Sequence, residues 1–96
     1  MDLIQFNNSL NGAAPPSGLT PIQTALWHAA KDEWEAAHNI AQQYEGQKKF
    51  DRLHAYLHRV EGDEWNAGYW YRRSGAAMPD KSTEEELNDL IKEWLG

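Results

Sequence analysis

Two histidines, His54 and His58, stand four residues apart in the run His-Ala-Tyr-Leu-His. On a helix that spacing puts both imidazoles on one face, where they can chelate zinc. A zinc site needs at least a third ligand. His28, His38, Asp51 and Glu61 are the side chains a fold could bring to it. The zincin arrangement also places a Glu directly after the first histidine as the catalytic base, and Ala55 stands there instead. The pair therefore has two readings: a His-based metal site, or half-buried packing residues hydrogen-bonded between helices. Packing demands no further ligand, so no cofactor is expected.

A second set of groups could grip a partner. Lys49, Arg52, Tyr56 and Arg59 recur at steps of three, four and three, forming one stripe beside the apolar stripe of Phe50, Leu53, Leu57 and Val60. Cations around a tyrosine suit an acidic peptide or a C-terminal carboxylate, through charge-assisted hydrogen bonds. The competing reading pairs those charges within the chain, with Glu61 or with the final helix, where an exposed pair contributes only about 0–1 kcal/mol. Further along, Tyr69-Trp70-Tyr71 spreads three aromatics around more than half of a helix. One core cannot face all three. Tyr69 and Trp70, with Arg73, thus define a surface that packs on the N-terminal arm, on the last helix, or on a second copy in a symmetric homodimer. Arg72 and Arg73 also suit a helix C-terminus. There is no Gly-rich phosphate loop and no serine nucleophile motif, and most carboxylates sit at helix starts, where capping explains them. The expectation is a protein that is not an enzyme.

The chain that positions these groups has 96 residues, with 15 acidic and 9 basic side chains for a net charge of −6. That length makes one small domain, because two cores would each be too small to offset chain entropy. The absence of cysteine excludes disulfides, thiolate zinc sites and a cysteine nucleophile. No apolar run approaches the roughly 18 residues of a membrane span, and the N-terminus lacks a secretory pattern, so a cytoplasmic protein is expected. The net charge, and an acidic segment from Asp80 onward, argue against nucleic acid as a partner. Leu, Ile, Val and Phe number only 16, a composition that with this charge approaches disorder. Five Trp and four Tyr answer it, since each buries about 150–250 Å² when packed.

Turn and cap signals divide the chain. Residues 1–19 read as an irregular arm, with Asn7-Asn8-Ser9 and Gly12-Ala13-Ala14-Pro15-Pro16 favouring turns and apolar Leu3, Ile4, Phe6 and Leu10 able to dock it. Residues 20–96 read as one helical domain. Thr20-Pro21-Ile22-Gln23 is a capping box opening a helix to about Ala30. Asp32, with Glu35 three residues on, opens the next to about Tyr44, closing a hairpin over 20–45. A second hairpin covers 47–75, with helices from about Lys48 to Glu61 and from Glu64 to Arg73. Ser82 and Glu85 start a final amphipathic helix over 82–96, with Glu84, Glu85 and Glu86 favoured in its first turn by the helix dipole. No segment alternates with period two over more than a few residues, so the fold class is all-α.

The two hairpins share a self-match at an offset of 31: Asp32-Glu33-Trp34-Glu35-Ala36 aligns with Asp63-Glu64-Trp65-Asn66-Ala67. A duplicated hairpin, with Trp34 and Trp65 as equivalent buried anchors, would stack on itself and be closed by the last helix. The stretch Glu61 to Ser74 resembles the second half of a tetratricopeptide or Sel1-like repeat. Gly62-Asp63 supplies the turn, Trp65 and Tyr71 the aromatics, Ala67 the small crossing residue, and Ala55 the small residue of the preceding helix. The first unit departs, with Lys31 for the turn glycine and Ile40 for the second aromatic. The resemblance covers about residues 20–75. It implies two stacked helical hairpins with a C-terminal capping helix. The first helix of each hairpin would line a concave face, which places His28, Lys49, Arg52, Tyr56 and Arg59 there as partner-binding residues. The chain also resembles short bacterial proteins with a His-Ala-Tyr-Leu-His-Arg and Tyr-Trp-Tyr-Arg-Arg core, a likeness that implies no activity. Together these readings predict a non-enzymatic interaction module that binds an acidic protein segment or forms a homodimer, with a His54/His58 metal protein or metal-dependent enzyme as the alternative.

Overall fold

Short polar side chains start four of the six helices in the computed structural model, which describes residues 1–95. These are α1 (Leu3–Ser9), α2 (Pro21–Ala30), α3 (Trp34–Gln43), α4 (Lys48–Val60), α5 (Glu64–Ser74) and α6 (Thr83–Leu95). No strand occurs among the described residues, so the fold is all-α. None of these helices is long and apolar enough to cross a membrane. The Thr20–Gln23 and Ser82–Glu85 boxes form as the sequence predicts, each side chain satisfying a backbone N–H the helix leaves free. Asp63 accepts from the Asn66 N–H at 3.2 Å. The end of the expected 82–96 helix, Gly96, lies outside the described residues.

The fourth cap corrects the expectation for residues 1–19. Asp2 and Gln5 form a capping box, with bonds of 2.8 and 2.9 Å, and α1 follows where an irregular arm was expected. Leu3, Phe6 and Leu10 fall at helical spacing, a pattern that one short helix shows too briefly to outweigh the turn-forming Asn-Asn-Ser. Phe6 is fully buried. The Trp27 Nε1–H donates to the Ser9 hydroxyl at 3.1 Å, and Lys31 Nζ donates to the carbonyls of Leu10 and Gly12. The segment is docked through its middle, whereas Leu3 and Ile4, expected to help dock it, stay exposed because they fall on the outer side of α1.

A second correction concerns the repeat. Asp32 does not cap α3. It adopts φ +58°, the left-handed region that Asp tolerates better than most residues, and Glu33 takes the cap position without a side-chain bond to the helix. Its counterpart is Gly62, at φ +85°. In the first turn the Glu33 N–H donates to the His28 carbonyl at 2.9 Å. In the second the Asp63 N–H donates to the His58 carbonyl at 2.9 Å. The two turns therefore correspond at an offset of 30, not 31, with Ala25 and Ala55, and Ala37 and Ala67, fully buried in step. One residue of slip rotates a helical side chain by about 100°. Trp34 packs against the core and donates from Nε1 to the Leu57 carbonyl at 2.6 Å. Trp65 is 77% exposed. The two tryptophans are not equivalent anchors.

Helix α2 packs on α3, α3 on α4, and α4 on α5. Helix α6 lies across α2 and α4, with α1 against it, instead of beyond the last hairpin. One core unites Phe6, Leu26, Trp27, Leu53, Leu57, Leu90 and Trp94, and a smaller cluster of Ala55, Ala67, Trp70 and Tyr71 joins α4 to α5. Replacing Trp34 by Ala is expected to cost about 3 kcal/mol. Trp65→Ala should change stability by about 0.5 kcal/mol or less, as for an exposed site. Urea unfolding of the two variants side by side checks the assignment, and equal losses would contradict it.

Candidate functional site

The basic stripe of α4 faces α6. Arg52 Nη1 donates to Glu93 Oε2 at 2.7 Å, and its guanidinium lies 5.6 Å from the centre of the Trp94 ring. Arg59 donates to Glu86 Oε1 at 2.9 Å and to the Lys81 carbonyl. Glu86 is only 3% exposed, and its two oxygens also accept from the Tyr71 hydroxyl at 2.7 and 2.6 Å. The carboxylate is thus buried with a cation and a phenol as partners, the condition under which burying a charge is tolerable. Tyr56 is buried in the same layer, and its phenol is pushed up to about 12, first by burial and then by the Glu86 charge. Burial, followed by its bond to Glu86, also raises Tyr71. The acidic segment this stripe meets is the chain's own α6. Lys49 stays exposed at the rim of a shallow cleft of about 490 Å³ with Thr20, Tyr44, Phe50 and Trp94. His28 is engaged separately, its Nδ1 2.8 Å from Glu33 and its ring edge-on to Trp27. Of the five residues expected to bind a partner, three are gathered under α6. Glu86 was assigned by sequence to the helix dipole alone. Its place four and eight residues before Leu90 and Trp94, on the apolar face, is the signal that marks it as inward-facing.

The aromatic run on α5 divides. Trp70 is buried, stacked on His54 with ring centroids 3.8 Å apart, and belongs to the core. Tyr69 is 40% exposed and accepts from Arg73 Nη1 at 3.3 Å, while the Arg73 guanidinium lies 4.9 Å from the centre of Trp70. Tyr69 shares its exposed face with Trp65 and Arg72, at positions i, i+4 and i+7. The backbone of α5 packs on α4 alone, so neither α1 nor α6 covers this face. Trp65 was missing from the surface expected by sequence because the repeat match had placed it in the core.

The packing of α3 on α4 brings His38 to His54 and His58. Ring centroids lie 4.6 Å apart for His38 and His54, 5.4 Å for His38 and His58, and 4.9 Å for His54 and His58. Burial holds the His54 imidazole down, to about 3, and the neighbouring His38, His58 and Arg73 push the same way. Burial, then His58, lowers His38 against the opposing carboxylates of Glu61 and Glu35. Both shifts favour the uncharged imidazole. Of the other side chains considered as partners for the pair, Glu61 lies behind the cluster on His58 Nδ1 at 2.7 Å. Asp51 accepts from the Gly46 N–H at 3.0 Å and His28 pairs with Glu33, both outside it.

Comparison of the chain with protein-family models, with curated proteins and with solved structures finds no match. The site must therefore be read from its own geometry. The raised phenols give a test of the buried layer. Folding holds Tyr56 and Tyr71 protonated, whereas the unfolded chain releases those protons near pH 10. Their contribution is present below that pH and is lost as pH rises above it. Urea midpoints measured between about pH 9 and pH 11 should fall, and the fall should be shallower in Tyr56→Phe.

Proposed function

We propose that this chain is a non-enzymatic, cytoplasmic helical interaction module, of the hairpin kind its sequence resembles, and that its partner is a second copy of itself. The observation that carries this reading is the exposed face of α5, where Trp65 and Tyr69 lie four residues apart and Trp65 is 77% exposed. An aromatic pair is costly to leave in water, and Trp, Tyr and Arg are the residues that dominate protein interfaces. The face that α4 would offer to an acidic segment is taken by α6, which is why the partner surface is put on α5.

The second copy is favoured over an unrelated protein because the face complements itself. Glu64 opens the helix, Arg72 and Arg73 close it, and Gly68 lies midway, with the Arg72 guanidinium reaching back beside it. Two copies of α5 placed antiparallel about Gly68 set Glu64 of each beside Arg72 of the other, with Trp65 and Tyr69 between. The two contacts are identical by symmetry, as an isologous dimer requires.

Sedimentation velocity over a concentration series is the test. The wild-type chain should dimerise, and both Trp65→Ala and Arg72→Glu should leave it monomeric with its helical circular dichroism unchanged. Adding Glu64→Arg to Arg72→Glu should restore the dimer through the reversed charge pair. A wild-type monomer throughout the series would overturn the proposal.

A further inference from the structure

We infer that His38, His54 and His58 form a binding site for one divalent transition-metal ion of the zinc class. This site is separate from the α5 face and does not depend on self-association.

The inference starts from the helix period. His54 and His58 are one turn apart on α4, so their rings rise on the same side. Helix α3 crosses that side with His38 at its middle. One ligating nitrogen from each of the three lies within 4.8 Å of the other two. Zinc binds imidazole at about 2.0–2.1 Å, which in a tetrahedral site spaces the nitrogens about 3.3 Å apart. Side-chain rotations of an ångström or so close the difference without moving either helix.

Two further observations point to a ligand. First, His54 is 3% exposed, and its Nδ1 has no hydrogen-bond partner. Buried polar atoms are almost always satisfied, and one left without a partner calls for an explanation such as an ion. Packing alone gives none, because the rings around His54 bring π-faces and other imidazoles. Second, Glu61 stands 2.7 Å from His58 Nδ1. A proton on Nδ1 satisfies that contact and leaves Nε2 with its lone pair free. A carboxylate holding the rear nitrogen of a metal-binding histidine in this way fixes its tautomer and raises its basicity.

Aromatic walls flank two of the rings. Trp34 stacks on His38 at 4.6 Å and Trp70 stacks on His54 at 3.8 Å. A second acidic set, Glu61 and Asp63 with His58, is less suited to a metal. Glu61 is committed to His58 Nδ1, and Asp63 caps α5 on the Asn66 N–H. Three imidazole ligands favour zinc, cobalt, nickel or copper over the hard cations magnesium and calcium. Three protein ligands also leave a fourth tetrahedral position for water or an outside group.

The probe is the metal alone, added to the full chain after removal of metal with a chelator. Zinc should bind at one ion per chain and raise the melting temperature. Cobalt(II) should give the intense visible absorption of a tetrahedral nitrogen site. His38→Ala removes the half-exposed ligand without opening the core, and should weaken zinc by at least tenfold while circular dichroism stays unchanged. Glu61→Gln touches no metal yet should weaken zinc by roughly 10–100-fold. Zinc binding of equal strength in wild type and His38→Ala would overturn the site, as would the weak, octahedral cobalt spectrum of a surface carboxylate.

Discussion

Glu86 is a carboxylate removed almost entirely from water, and the position of α6 has to satisfy it. A charge in this setting is destabilising by several kcal/mol unless it is paired and hydrogen-bonded. Only where Arg59 of α4 and Tyr71 of α5 converge are both conditions met. Once Glu86 is seated there, the same helix turns Leu90, Ile91 and Trp94 onto α2 and α4, which closes the core along its side. Helix α1 then packs against α6, and the Gln23 side chain donates to the Trp94 carbonyl to fasten its far end. Arg52 with Glu93 and Lys81 with Asp89 are more exposed pairs of smaller worth. They add to a placement held by the apolar face of α6 and restricted by the buried charge.

That placement has a consequence at the other end of the molecule. A stack of hairpins ordinarily needs its last helix covered, because each unit buries its apolar face on a neighbour. Here the amphipathic helix available for covering is used along the side, and α5 keeps Trp65 and Tyr69 in water. The inner side of α5 is differently occupied. Trp70 lies on His54, and Arg73 lies over Trp70, so an aromatic ring separates the histidine cluster from a cation. The exposed and buried sides of α5 thus lie apart, one in water and the other against the histidines.

The histidine cluster follows from the crossing of α3 and α4. Ala37 and Ala41 are fully buried on α3, and small residues of this kind let that helix approach α4, while Ala55 is buried on the side of α4 that meets α5. His38 follows Ala37 directly, and His54 precedes Ala55. The alanines that permit close packing therefore carry imidazoles at their shoulders. A larger residue at Ala37 would hold His38 away from the other two rings.

Much of the fold was legible in the sequence because its cause lies within a few residues. The Thr20 and Ser82 capping boxes, the stop at Gly62 and the apolar stripe of α4 each depend on groups three or four positions apart, and each forms as read except that Val60, the last of the stripe, is exposed at the C-terminal end of its helix. The pairing of His54 with His58 on one face was settled by the same helical period. The register of the two hairpins was not, because Asp32 can adopt the left-handed turn that the eye assigns to glycine, and a five-residue match then points one residue astray. Nor could the chain order show that His38 would be the third imidazole, that Trp65 would face water, or that Glu86 would leave it. Those outcomes depend on which helices cross and at what height, and crossing is decided by the summed burial of residues tens of positions apart. Local chemistry fixes where helices begin, end and show an apolar face, whereas only the assembled core decides which polar groups are enclosed and must find partners there.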